Sequence, residues 1–115
     1  IRIRGKINFN GSGRKIAPES FMILDEISVS LKDRPRMRLR IEGHTDSKGS
    51  ARANQTMSGR RAETVRRYLM KKGIDGNRLI TIGYGESQPI ADNSTEAGKE
   101  TNRRIVFNIL QDGTP

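Results

Sequence analysis

Residues 36–42 alternate without a break: Met37, Leu39 and Ile41 are apolar, and the positions between and beside them are Arg36, Arg38, Arg40 and Glu42. Successive side chains on a strand point to opposite faces, so this segment reads as a strand with one buried face and one solvated face. It runs into a glycine-flanked turn, Gly43-His44-Thr45-Asp46-Ser47-Lys48-Gly49. A long helical run follows, which Ser50 is placed to cap and Gly73 to stop. A strand, a tight turn and a long helix in that order commit the chain to α/β layering, because the helix must cover the face that the strand buries.

The rest of the chain fits the same plan. In residues 1–9, Ile1, Ile3, Ile7 and Phe9 alternate with Arg2, Arg4, Lys6 and Asn8, a second half-buried strand, and Asn10-Gly11-Ser12-Gly13 is a turn. Pro18 suits a first helical turn, and Phe21, Leu24, Ile27 and Leu31 recur at helical spacing until Asp33-Arg34-Pro35 ends the run. In the second helix Met57, Arg61, Val65, Tyr68 and Leu69 lie on or near the inward side. Residues 79–84 read as a strand, 89–99 as a loop with one short helical turn, 104–110 as the last strand and 111–115 as a frayed tail. The expectation is one domain over 1–110: a two-layer α/β (α+β) sandwich of order strand-helix-strand-helix-strand-strand. Its mixed four-stranded sheet carries both helices on one face. If the first two strands are neighbours, Arg2, Arg4 and Lys6 lie beside Arg36, Arg38 and Arg40, and the other face is basic.

Composition narrows the function. The chain has 115 residues, 22 Lys and Arg against 13 Asp and Glu, and a net charge of +9, a balance that favours anionic partners. There is no cysteine and only one histidine, so thiolate metal sites and cysteine nucleophiles are excluded and a zinc hydrolase site lacks ligands. His44 adjoins Thr45, Asp46 and Ser47, but sequence neighbours do not converge as nucleophile, base and orienter, and His44 reads as a turn-bracing residue. Gly11-Ser12-Gly13-Arg14-Lys15 lacks the full spacing of a phosphate loop. No enzymatic activity, cofactor or metal is expected. The basic strands carry no interleaved aromatic for stacking, so they read as a solvated surface or a contact for an anionic envelope polymer, and no nucleic-acid partner is expected. No apolar run approaches the roughly 20 residues of a membrane span. The start at Ile1, without a secretory signal, suggests a mature product or an excised domain whose anchoring segment lies elsewhere.

Asp46, Asn54 and Arg61 form the most pointed constellation. Asn54 and Arg61 are seven apart, two helical turns, and share a face with Ser58 between them. Asp46 sits at the carboxyl end of a strand, where open α/β layouts place ligands. A carboxylate facing a guanidinium is a two-point receptor for a zwitterion. Spacing alone leaves a second reading open, in which Asp46 caps a turn and Arg61 is a solvated helix charge.

Several blocks occur together: Ile41-Glu42-Gly43-His44-Thr45-Asp46, Asn54, Met57-Ser58-Gly59-Arg60-Arg61-Ala62, Gly73-Ile74, Arg78-Leu79, Gly83-Tyr84-Gly85-Glu86, Pro89-Ile90-Ala91-Asp92-Asn93 and Asn102-Arg103-Arg104-Ile105. In order and spacing, from about residue 3 to 110, they resemble the OmpA-like peptidoglycan-binding domain family. The resemblance implies a non-enzymatic module that holds the peptidoglycan stem peptide at meso-diaminopimelate. In that reading Asp46 accepts the ammonium and Arg61 pairs with the carboxylate. Asn54 and the backbone N–H groups around Thr45 and Asp46 fix orientation, Arg103 lines the pocket and Asn102 braces it. Met57 stands where the family mostly has Leu, a volume-conserving change. The 10–14 loop is richer in glycine than usual, and Ser12 or Asn10 is all it offers the ligand. The resemblance further implies a Gram-negative periplasmic domain on an outer-membrane protein or lipoprotein. The alternatives are the wall-binding part of a stator-like inner-membrane complex and, from another class, a basic nucleic-acid-binding module.

Overall fold

The computed structural model describes residues 6–10 and 14–112. A short antiparallel hairpin of β1 (Phe9–Asn10) and β2 (Lys15–Ile16) leads through a 3₁₀ turn at Pro18–Ser20 into α1 (Phe21–Asp33). Then come β3 (Met37–His44), α2 (Ala51–Lys71), β4 (Leu79–Gly85), α3 (Glu96–Asn102) and β5 (Arg104–Asp112). The main sheet has the order β4-β3-β5, with β3 parallel to β4 and antiparallel to β5.

The two-layer plan is as the sequence predicts. Leu24, Ile27 and Leu31 of α1 and Ala62, Val65 and Leu69 of α2 pack with Met37, Leu39 and Ile41 of β3 in one core. Leu24, Leu31, Leu39 and Ile41 are wholly buried, each contributing roughly 1.5–3 kcal/mol relative to exposure. The strand count differs from expectation. The sheet has three strands among the described residues, and the hairpin forms a separate two-stranded sheet. Both edges of β3 are occupied, by β4 and β5. Lys6 pairs with Glu100 on α3. Residues 1–5 lie outside the described residues.

Ser50 Oγ accepts from the backbone N–H of Ala53 at 3.0 Å, capping α2, and Gly73 closes the helix at φ 99°. Its buried stripe is Ser58, Ala62, Val65 and Leu69, with Met57, Arg61 and Tyr68 half-buried beside it. Small residues on both sides, Ser58 and Gly59 on the helix and Gly43 and Gly83 on the strands, let the helix press onto the sheet. A Cβ on Gly43 would overlap the carbonyl of Ser58, and one on Gly83 would overlap the backbone of Gly59. Ser58 Oγ completes the contact by accepting from Gly85 N–H at 2.9 Å.

Two boundaries move. The expected loop at 89–99 gives way to a seven-residue helix starting at Glu96, capped by Thr95 Oγ1, which accepts from Gly98 N–H at 2.9 Å. This helix carries no apolar stripe, so periodicity is silent about it. Strand β5 continues through residues 111 and 112, which pair with Arg38 and Met37, so these two belong to the sheet rather than to a frayed tail. Arg78 closes the far end of the domain by donating to the carbonyls of Leu31, Arg34 and Met37, the first two of which also accept from the backbone N–H groups of Arg34 and Met37. Among the described residues no helix is long and apolar enough to cross a membrane.

Candidate functional site

The turn after β3 is rigid because its polar groups are internally paired. Thr45 donates its N–H to Gly85 O at 2.9 Å and its hydroxyl to Asp46 O at 2.8 Å. Its backbone N–H ties the turn to β4. Asn54 Nδ2 donates to Lys48 O at 3.0 Å, Asp46 O at 3.3 Å and Glu86 Oε1 at 3.4 Å, so its amide braces the turn from α2. Asp46 is buried, and its Oδ1 accepts from Lys48 N–H at 2.8 Å.

The other oxygen of Asp46 accepts from Arg103 Nη1. Arg103 is gripped on its opposite edge by Glu100, whose Oε2 takes Nη2 at 2.9 Å and Nε at 3.3 Å. Glu100 in turn holds Lys6 at 2.6 Å. Alternating charges thus run Lys6, Glu100, Arg103, Asp46. Hydrogen bonds from Lys6 and then Arg103 hold the Glu100 carboxyl below the usual range. Glu100, and less strongly Asp46, raise Arg103 further, against some loss from burial. Asn102 is wholly buried and points away from these groups. Its Oδ1 accepts from Ile90 and Ala91 N–H, and its Nδ2 donates to Ala91 O and Asn93 Oδ1. It pins the loop beneath Arg103 and braces the pocket indirectly.

Arg61 enters from α2. Its guanidinium lies over the ring of Phe9 at 5.6 Å, and its Nε is buried without a hydrogen-bond partner. Burial lowers its pKa, the neighbouring Arg103 lowers it further, and Asp46 pulls the other way. Lys6, Ile7, Asn8, Phe9, Arg61, Glu100 and Arg103 enclose a cavity of about 200 Å³. Three cations, Lys6, Arg61 and Arg103, meet two carboxylates, Glu100 and Asp46, which leaves one positive charge in excess. A ligand carboxylate offers Arg61 the acceptors it lacks, and a ligand ammonium finds the carboxylates close by.

The structure therefore brings Asp46, Arg61 and Arg103 together and sets Thr45, Asn54 and Asn102 behind them. Ser12 lies outside the described residues. Sequence reasoning missed Lys6, Phe9 and Glu100. Glu100 carried a signal, since it precedes Arg103 by three residues at helical spacing. Lys6 and Phe9 reach the pocket through tertiary packing and carried none.

The sheet face away from the helices is not a uniform basic surface. Arg40 Nε donates to Glu42 Oε2 at 2.8 Å, and Asn108 Nδ2 donates to the same oxygen. Arg104 donates to Asn102 O at 3.2 Å and Gln88 O at 3.0 Å. His44 is buried and stacks on Tyr84 with ring centroids 5.2 Å apart, with Glu42 Oε1 3.5 Å from its Nε2. Burial, and after it Arg104, push its pKa below the ordinary value, with Glu42 in opposition.

Comparison with known proteins places the chain in a family. Outer membrane porin F of Pseudomonas fluorescens is 36% identical over 109 residues, covering 95% of this chain and 33% of that protein. The peptidoglycan-binding protein ArfA of Mycobacterium tuberculosis is 38% identical over 101 residues, 88% of this chain and 31% of that protein. The chain thus spans about a third of the length of these relatives. The peptidoglycan-associated lipoprotein of Burkholderia pseudomallei superposes with a TM-score of 0.80 at 25% identity, covering 93% of this chain and 91% of that one. The C-terminal domain of Helicobacter pylori MotB shares the fold with a TM-score of 0.84 at 22% identity, covering 96% and 87%. The OmpA family model matches residues 8–103, nearly the whole of the described structure, and the chain belongs to the OmpA family.

Proposed function

We propose that this domain binds peptidoglycan non-covalently, through the meso-diaminopimelate residue of the stem peptide, and so tethers a longer envelope protein to the cell wall from the periplasm. The observation that carries this reading is Arg61, a desolvated cation whose buried Nε has no partner, set within reach of Asp46 and Arg103. The far end of meso-diaminopimelate bears an ammonium and a carboxylate on one carbon. The carboxylate pairs with Arg61, and the ammonium lies toward Asp46 and Glu100. Lysine has the ammonium alone and leaves Arg61 unpaired, which costs affinity because the site's buried polar group stays unmatched.

Two relatives support the wall as partner: ArfA, named for peptidoglycan binding, and the cell wall anchor of the Pseudomonas aeruginosa type VI secretion system, at a TM-score of 0.74 and 25% identity. The reading is one of binding and not of catalysis, since the pocket offers fixed charges, Lys6, Glu100, Arg103 and Asp46 paired in a chain with Arg61 beside them. Single-site affinity is modest, and many sites on one wall raise the effective retention. The outer membrane is the proposed attachment, by way of the parent chain.

The test is co-sedimentation with purified sacculi that carry diaminopimelate or lysine at stem position three, at matched salt. Diaminopimelate wall retains the domain, and lysine wall retains it about tenfold less well. Equal retention on the two walls would mean that the +9 charge alone drives binding.

A further inference from the structure

A second cavity lies on another side of the hairpin. Where β1 lines the pocket of Arg61, β2 lines a groove of about 450 Å³ against α1 and the outer turns of α2. Its floor is apolar: Ile16, Phe21 and Tyr68, with Phe21 and Tyr68 stacked at 5.0 Å between centroids. The Tyr68 ring is held in place, because its hydroxyl donates to Asp25 at 2.6 Å. The rim is cationic: Arg14, Lys15, Arg67 and Lys71. The groove shares Arg14, Thr64 and Arg67 with a neighbouring hollow of about 420 Å³ that reaches Arg60 and is also lined by Glu63. From Arg60 to Lys71 the two follow α2 for about 16 Å at 1.5 Å per residue.

The rim cations differ from the basic residues that the fold uses to brace itself. Arg40, Arg78 and Arg104 bond internally. Among the described residues Arg14, Lys15 and Lys71 have no carboxylate within ion-pair distance. Arg67 has only Glu63 at 3.6 Å, which Arg66 holds more closely at 3.1 Å. An elongated groove with a fixed aromatic floor and a cationic rim, in which Arg14, Lys15 and Lys71 have no carboxylate partner among the described residues, selects its occupant by both features. Polyphosphate or an acidic glycan would meet the rim and leave the floor idle. An extended peptide uses both, with carboxylates on the rim and an apolar side chain on the floor, in a setting where aromatic and arginine side chains anchor protein partners. We propose that this groove docks an extended acidic segment of a partner protein, with one large apolar side chain seated on Ile16, Phe21 and Tyr68. It is a site separate from that of Arg61, and it stands whether or not the wall reading does.

The probe is a fluorescein-labelled peptide of about eight residues, long enough at roughly 3.3 Å per residue to run the groove. It alternates Glu and Ser around a central Phe, and binding is read by fluorescence anisotropy. Two control peptides replace every Glu by Gln, or Phe by Ser. The variants are Lys15→Glu/Lys71→Glu and the milder Lys15→Gln/Lys71→Gln, all at exposed positions, with Arg38→Glu as an exposed cation off the groove. The expected result is saturable binding of the Glu/Phe peptide, weak binding of both controls, and a loss of about tenfold in affinity in the double Glu variant. The Gln variant falls between, and Arg38→Glu binds as wild type. Sacculus retention of the double Glu variant stays at the wild-type level, which separates this groove from the pocket. The proposal is overturned if the Phe-to-Ser peptide binds as well as its parent, or if Arg38→Glu weakens binding as much as the groove variants. Tighter binding of polyphosphate or single-stranded DNA with the same dependence on Lys15 and Lys71, or the absence of saturable peptide binding, also overturns it.

Discussion

Arg103 donates through Nη1 to Oδ2 of Asp46, joining the residue before β5 to the turn after β3 across 57 positions of chain. The carboxylate that the sequence marks for a ligand ammonium is thus already partnered, and it fixes Arg103 in the wall of the pocket as well as contributing to its charge.

Replacing Asp46 therefore has two consequences. Asp46→Ala leaves the backbone N–H of Lys48 and one edge of Arg103 without their acceptor and costs about 1–3 kcal/mol of stability. Asp46→Asn keeps the shape and one acceptor, so its stability loss is smaller. Both weaken sacculus binding by about tenfold or more, since each removes the charge opposite the ammonium. Urea unfolding with co-sedimentation separates the effects. Wall binding at the wild-type level in Asp46→Asn counts against the assignment.

Arg61→Ala loses binding without the loss of stability. It removes a desolvated cation next to Arg103, and the contact with Phe9 offsets only part of that burden. Stability stays within about 1 kcal/mol of wild type, while wall binding falls roughly ten- to a hundredfold, as expected for a charge-assisted contact worth about 1.5–3 kcal/mol. Arg61→Lys does not restore binding, because a single ammonium lacks the planar fork. A variant unfolded by several kcal/mol that still binds wall would show that Arg61 is a structural residue.

Gly43 and Gly49 flank the same turn for different reasons. A Cβ on Gly43 meets the Ser58 carbonyl, which belongs to helix backbone and cannot swing aside, whereas Gly49 has open space and a φ of 86°. Gly43→Ala forces α2 away from the sheet and costs about 3 kcal/mol or more. Gly49→Ala costs about 1–2 kcal/mol, the strain of a left-handed backbone. Thermal unfolding of the pair checks the order, and a larger loss at Gly49 would contradict the close approach of α2.

His44 sets a pH dependence of stability. It faces Glu42 on its own strand, Tyr84 on β4 and Arg104 on β5. Its folded pKa lies below the ordinary 6.5, so in the interval between the two values the unfolded chain binds more protons than the folded one. Stability is full above about pH 6.5 and declines as pH falls below it. For Glu42, burial raises the pKa, but hydrogen bonds from Arg40 and Asn108 more than reverse this and leave it below 4.5. Its contribution is full above that value and is lost at lower pH. Urea midpoints taken between pH 7.5 and 5.5 fall for the wild type and stay level for His44→Gln. A wild-type midpoint that rises toward pH 5.5 would mean that His44 is stabilised as the cation by Glu42.

Much of the domain was legible in the chain before any packing was known. Ser50 and Gly73 bound α2 as their chemistry requires, and Met37, Leu39 and Ile41 turned inward as their alternation demands. Capping and periodicity are local properties, set by hydrogen bonds and faces a few residues apart. The order of the strands is not local, and neither is the fate of a charge. β3 lies at the centre because β4 and β5 return to its two edges. Arg78 closes carbonyls more than 40 positions away, and Glu100 turns Arg103 toward Asp46. Gly43 faces Ser58 only once the helix has docked. A side chain's spacing states which face it occupies, but what stands across from that face depends on how distant segments pack together. That is why Asp46 and Arg61 could be read as a pair from the sequence, while the unpartnered Nε of Arg61 and the groove beside β2 emerged only from the folded chain.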